Sequence, residues 1–139
     1  EILRCLVGSE MCIRDRFYGL EGIHGYGYGQ DEDQGQLGAW YVMSALGLFD
    51  VKGLTEIDPK FQIGAPLFDK VTVRLNKDYY PGEKFVIEAK KQAVGDCYLQ
   101  DISLNNRPQD TVQLPFSEVV KGGKLVLGLG ASPNEELTH

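Results

Sequence analysis

Three consecutive carboxylates, Asp31-Glu32-Asp33, stand in the segment Gly29-Gln30-Asp31-Glu32-Asp33-Gln34-Gly35-Gln36. Adjacent carboxylates repel one another. A chain places them side by side where something offsets the charge: free N–H groups at a helix start, a hard cation such as calcium, or a reaction that needs an acid and a base. The simplest of these is capping. Asp33 with Gln36 three residues on matches a capping box, in which Asp33 accepts from the first turn and Gln36 reaches back. Each charge at that helix end then gains about 0.3–1 kcal/mol from the dipole.

The flanking residues point beyond capping. Residues 17–30 carry glycine at positions 19, 22, 25, 27 and 29, with His24, Tyr26 and Tyr28 between them. Such a run cannot form a regular helix, and it lets backbone approach a ligand closely. Tyr26 and Tyr28 could wall a site, and His24 and Tyr26 are the candidate substrate contacts. The Lys-Ser/Thr ending of a phosphate loop is absent. Residues 34–49 read as a helix, with Leu37, Trp40, Tyr41, Ser44, Ala45 and Leu48 at i, i+3, i+4 spacing. Ala39, Val42, Met43, Leu46 and Phe49 fill the other side, so the helix is apolar all round and is expected to be buried on every side, as an inner helix of a larger helical assembly. Asp50, Lys52 and Gly53 are expected to end it. Carboxylates at the mouth of such a helix are costly unless paired, hydrogen-bonded or metal-bound. Sugar hydrolysis uses groups of this kind: one carboxylic acid protonates the leaving oxygen, and a carboxylate activates water or attacks the sugar. A calcium ion would suit the same oxygens, although the twelve-residue calcium-loop pattern is missing.

Beyond residue 60 the pattern changes. Residues 61–64 are short and extended, and 70–75 alternate Val71, Val73 and Leu75 against Thr72 and Arg74, a half-buried strand. Strands are also expected over 85–89, 97–104, 111–114 and 124–129, with turns at Tyr80-Pro81-Gly82-Glu83 and Asn105-Asn106-Arg107-Pro108 and a brief helical turn over 116–120. Ser132-Pro133-Asn134 breaks the last strand. Short strands at this spacing point to an antiparallel sandwich.

The 139 residues suffice for one ordinary domain, and 42% apolar with 24% charged residues places the chain among globular proteins rather than disordered ones. A net charge of −6 gives no electrostatic reason to bind nucleic acid or an anionic membrane. No apolar run approaches the roughly 20 residues of a membrane helix. Cys5, Cys12 and Cys97 have no metal-like spacing, and Cys97 is expected to be free and buried. Residues 1–16, with neither helical stripe nor strand alternation, resemble a translated sequencing-adapter scar and are set aside, a real N-terminal arm being the other reading.

Several ordered motifs now agree. The string GQDEDQGQLGAWYVMSALGLFDV resembles a signature of glycoside hydrolase family 92, the calcium-dependent exo-acting α-mannosidases. So does Phe61-Gln62-Ile63-Gly64-Ala65-Pro66-Leu67-Phe68-Asp69, and the later Asn105-Asn106-Arg107-Pro108, Gly122-Gly123-Lys124-Leu125 and Ser132-Pro133-Asn134 are similar to the tails of such proteins. The resemblance spans about residues 17–135. It implies an α+β fragment of a larger enzyme: residues 17–59 as the last inner helix and C-terminal piece of an (α/α)6 barrel, and 60–139 as an antiparallel β-sandwich-like C-terminal module. It also implies inversion at the anomeric carbon, with Asp33 as general base, Asp31 as its close assistant, and Asp33 as a ligand of calcium. Glu32 between them is the structural member. The family's general acid is a glutamate earlier in the chain. Glu10 and Glu21 do not fit that role, so the missing N-terminal part of the same enzyme is the expected partner. A mannose-containing glycan is the expected substrate, and a bacterial periplasmic or secreted location is implied. Many members carry Asn where Asp31 stands, which leaves the division of labour between Asp31 and Asp33 open. The competing reading is a non-catalytic carbohydrate-binding or structural β module whose acidic segment only caps a helix. Another barrel-type carbohydrate enzyme is a third.

Overall fold

The computed structural model of the chain describes residues 36–50, 52, 54–134 and 137. Its elements run α1 (Gln36–Leu46), β1 (Leu48–Phe49), β2 (Lys60–Ile63), β3 (Lys70–Arg74), β4 (Lys84–Lys91), β5 (Tyr98–Leu104), β6 (Arg107–Gln109), β7 (Gln113–Pro115), α2 (Phe116–Lys121) and β8 (Gly123–Gly130).

Alternation decides what the strands bury. Along β4, Phe85, Ile87 and Ala89 face inward and Val86 and Glu88 outward; along β8, Leu125, Leu127 and Leu129 are buried. The register sets these side chains in rows. Ile87, Leu125 and Leu104 lie side by side across three strands, as do Ala89, Leu127 and Ile102. Rows of branched and aromatic side chains on one face are the unit of sheet stability. The five strands are ordered β3-β4-β8-β5-β6, and a second sheet is ordered β1-β2-β7. Leu48, Phe61, Ile63 and Leu114 of the small sheet join Phe85, Ile87, Leu125 and Leu127 of the large one in a single apolar core.

The expected antiparallel sandwich needs one correction. β4 and β8 pair in parallel at the centre of the large sheet, while its other strands pair antiparallel. Alternation reads the same in either direction, so strand direction is a tertiary choice. The chain between β4 and β8 carries β5, β6, β7 and α2 before β8 returns between β4 and β5. That length is what a parallel connection requires.

Turns settle further boundaries. β5 and β6 are joined by Asn105 (φ 50°) and Asn106 (φ 65°) alone, a two-residue turn with both residues in the left-handed region that asparagine tolerates. The turn is therefore shorter than the four residues expected, and Arg107 and Pro108 already belong to β6. The β3–β4 connection turns over Asn76–Tyr79, where the Asn76 side chain accepts from the Asp78 N–H (2.9 Å) and the Asn76 carbonyl from the Tyr79 and Tyr80 N–H groups. It begins four residues before Tyr80, where the sequence pattern starts the turn, and the Leu75 N–H to Glu83 carbonyl bond closes it. Phe116 at the start of α2 holds this loop to the small sheet, edge-to-face with Tyr80 (6.3 Å) and with Phe61 (6.1 Å). Buried Asp96 accepts from the Gln92 and Ala93 N–H groups and fixes the β4–β5 turn. Cys97 beside it forms no disulfide among the described residues and is half-buried, not fully buried as expected. The Ser132-Pro133-Asn134 break is tied to β5, with the Gln100 amide donating to the Ser132 carbonyl (2.6 Å) and the Asn134 amide to the Gln100 carbonyl (2.8 Å).

Two predictions follow from this core. Truncating Leu125, which is fully buried in the central row, to alanine should lower the unfolding free energy of the purified chain by about 2–5 kcal/mol, read as a shifted urea midpoint at unchanged slope. On the outer face, the Lys124 ammonium pairs with Glu88 and holds its carboxyl below the ordinary value of 4.5. A depressed carboxyl stabilises the fold above its unfolded pKa and loses that contribution as pH falls through the folded one. Glu88→Gln should therefore lower the urea midpoint slightly at pH 7 and leave it unchanged well below pH 4.5; equal losses at both pH values would mean the carboxylate charge plays no part.

Candidate functional site

The acidic cluster precedes α1, so what seats that helix bears directly on any site built there. The helix is shorter than the 34–49 expected: it ends at Leu46, Gly47 follows with φ 78°, and Leu48-Phe49 turn into strand β1. Glycine adopts that left-handed backbone without strain and commonly closes helices. Asp50 and Lys52 lie beyond the helix. Asp50 instead organises the next turn, its carboxylate accepting from the Lys52 N–H at 2.9 Å.

The C-terminal half of α1 is held firmly. Ser44, Ala45, Gly47 and Leu48 are buried, and Met43 packs on the core. The Leu67 N–H donates to the Ala45 carbonyl (3.0 Å) and the Gly64 N–H to the Gly47 carbonyl (2.8 Å). The stretch Ile63-Gly64-Ala65-Pro66-Leu67 thus supplies donors to carbonyls that a helix end leaves without intrahelical partners. The other half departs from expectation: Gly38, Ala39 and Tyr41 are exposed, and Val42 is 54% exposed. The helix is apolar all round, yet the described residues cover only one side of it.

Asp31, Asp33, His24 and Tyr26, the residues to which the sequence points for catalysis and substrate contact, lie outside the described residues, as does Glu32. Among the described residues, no group of three or more His, Cys, Asp or Glu side chains comes together to hold a metal. The calcium expectation concerns Asp33, which lies outside the described residues.

A second polar feature carries no motif in the sequence. A groove of about 770 Å³ lies where the 50–58 loop crosses β2 and β7, lined by Asp50, Glu56, Asp58, Lys60, Gln62 and Gln113 among others. Gln62 and Gln113 are register partners on the outer side of the small sheet, and alternation with Phe61, Ile63 and Leu114 is the signal that would have placed them there. Part of the groove's charge is used locally: Lys52 pairs with Glu56, which raises the lysine pKa above its ordinary value. The groove is an open polar surface rather than an enclosed reaction site.

Comparison with known proteins gives these elements a context. The family model for the glycosyl hydrolase family 92 catalytic domain matches residues 13–131. The structure of the family GH92 inverting mannosidase BT2199 from Bacteroides thetaiotaomicron VPI-5482 is 35% identical over 91% of this chain, with a TM-score of 0.67. That of the family GH92 α-mannosidase BT3965 from Bacteroides thetaiotaomicron is 23% identical over 98% of this chain, with a TM-score of 0.73, and shows a common fold. The same mannosidase in complex with mannoimidazole is 24% identical over 94% of this chain, with a TM-score of 0.71. The chain spans 16%, 18% and 17% of those three chains. None of the curated proteins compared with the chain matches it.

The uncovered side of α1 yields a test. In the purified chain Val42→Ser should change stability by no more than about 0.5 kcal/mol, because the side chain already faces water. Leu48→Ala, six residues past Val42 and 4% exposed, should cost about 2–4 kcal/mol by chemical denaturation. Comparable losses would show that the exposed side is covered after all.

Proposed function

This chain belongs to glycosyl hydrolase family 92, and from that membership we propose that it forms part of an inverting, exo-acting α-mannosidase that removes terminal mannose from glycans, with Asp33 as the general base. The match of the family's catalytic-domain model to residues 13–131 carries this reading, since that range includes the acidic cluster and the helix after it. Support comes from the 35% identity to a relative described as an inverting mannosidase, and from the mannoimidazole complex of a second family member, a ligand built on mannose.

The chemistry is a single displacement. The Asp33 carboxylate takes a proton from a water molecule as that water's oxygen bonds to the anomeric carbon. The bond from that carbon to the leaving oxygen breaks on the opposite face, and an acid carboxyl protonates the departing oxygen. Room for the water sets the two carboxyls roughly 6.5–9.5 Å apart. The acid is proposed to come from the part of the enzyme outside these 139 residues. Asp31, two residues before Asp33, would assist it by orienting the water. His24 and Tyr26 are the proposed sugar contacts, through a ring nitrogen to hydroxyls and an aromatic face to the pyranose. Calcium belongs to the proposal only through Asp33: a calcium ion takes six to eight oxygens, so Asp33 would be one ligand of several, and no step of the reaction is assigned to the ion. The exposed side of α1 would pack against the remaining helices of an (α/α)6 barrel. A periplasmic or secreted location is part of the same proposal.

The reading makes a paired prediction. The chain alone should show no turnover of an aryl α-mannoside, because it holds one half of an acid–base pair. In the complete enzyme, Asp33→Asn should lower kcat by at least about 100-fold, the scale expected of a lost acid–base group, with thermal stability retained. Turnover by the isolated chain would overturn the placement of the acid outside these 139 residues, and unchanged kinetics in the variant would remove Asp33 from the role of base.

A further inference from the structure

The segment Ile63-Gly64-Ala65-Pro66-Leu67 has no place in the chemistry above, yet it meets α1 where the helix is anchored. The contact is backbone on backbone. A Cβ built on Gly47 would stand 2.8 Å from the Gly64 carbonyl oxygen, 3.1 Å from the Pro66 nitrogen and 3.2 Å from the Pro66 Cα. None of these atoms can swing aside as a side chain would. Gly47 also has φ 78°, which an L side chain rarely adopts, so both its backbone and its surroundings require glycine. Two hydrogen bonds lock the same junction, Gly64 N–H to the Gly47 carbonyl at 2.8 Å and Leu67 N–H to the Ala45 carbonyl at 3.0 Å. Gly64, Ala65 and Pro66 are all buried.

We propose that Gly47, through this contact with Gly64 and Pro66, is a positioning residue: it fixes the tilt and axial position of α1 relative to the β module, and so the placement of the catalytic end of the helix. The inference rests on the proposed role of Asp33, which precedes the first helical residue, Gln36, by three positions. The helix acts as a lever. Its 11 residues span about 16 Å at about 1.5 Å each, so a tilt of about 5° at the Gly47 end moves the Gln36 end by about 1.4 Å. A misplacement of about 1 Å is enough to cost on the order of 100-fold in rate where groups must meet in line. The β module then has a function besides stability: it is the fixed mount of that lever.

The test is made in the complete enzyme, with an aryl α-mannoside as probe. Gly47→Ala should lower kcat by about 10- to 100-fold with KM changed less than about twofold, measured well below the melting temperature. Gly95→Ala is the control for backbone strain. Gly95 lies in the β4–β5 turn with φ 99° and open space around its Cβ, so the variant should lose thermal stability and keep kcat. If Gly47→Ala does not fold, Pro66→Ala keeps the contacting backbone atoms but removes the ring that holds them in place, and should lower kcat about 3- to 10-fold at constant KM. Asp33→Asn is run in parallel. An inactive Asp33 variant beside a folded Gly47 or Pro66 variant with unaltered kcat overturns the positioning role alone. An active Asp33 variant overturns the reading on which it rests. A kcat loss in Gly95→Ala matching that of Gly47→Ala would mean general destabilisation, and would also overturn it.

Discussion

The parallel pairing of β4 with β8 is the contact on which the other elements depend. It places Ile87 beside Leu125 and Ala89 beside Leu127, and the antiparallel partner β5 extends those rows with Leu104 and Ile102. Each is buried against the small sheet, so one apolar layer holds both sheets. Close packing of this kind does not tolerate a slip by one residue, which would turn every apolar side chain to water.

From this layer the order extends outward to the helix. β2 lies at the centre of the small sheet, paired with β7 on one side and β1 on the other. β1 follows α1 after a single glycine, so the sheet's position sets where the helix ends. The 64–67 segment, leaving β2, returns to the helix end and satisfies its carbonyls. The helix is therefore seated on the sheets at its C-terminal end, while among the described residues Gly38, Ala39, Tyr41 and Val42 are exposed. That asymmetry fits a chain whose matched relatives are about six times longer, and whose family places carbohydrate chemistry in the matched catalytic domain.

Much of this was legible in the residues themselves. Strands over 61–64, 70–75, 85–89, 97–104 and 124–129 were readable because a half-buried strand must alternate, and the observed strands overlap each of them. The short helix after residue 115 was readable too. Turn limits were less so. Asn105-Asn106 closes its hairpin in two residues because both asparagines accept a left-handed backbone, whereas composition alone admitted a longer turn. The end of α1 is hidden for a related reason: Leu48 and Phe49 continue the helical spacing of apolar residues, and only their pairing with Ile63 and Gln62 of β2 shows that they already belong to a strand.

The sequence by itself determined the family, through motifs whose order and spacing recur, and with it the candidate residues Asp31, Asp33, His24 and Tyr26. It also determined which face of each strand is apolar, because that follows from period-two chemistry along the chain. Tertiary structure decided what no local pattern encodes: that β8 lies parallel to β4, that Gln62 and Gln113 share an outer groove, and that Gly47 meets Gly64 and Pro66. The physical reason is the same in each case. Alternation, propensity and capping act between neighbours along the chain, whereas strand direction, grooves and backbone contacts join residues far apart in sequence, and the packing of the whole core selects among arrangements that local chemistry leaves equal.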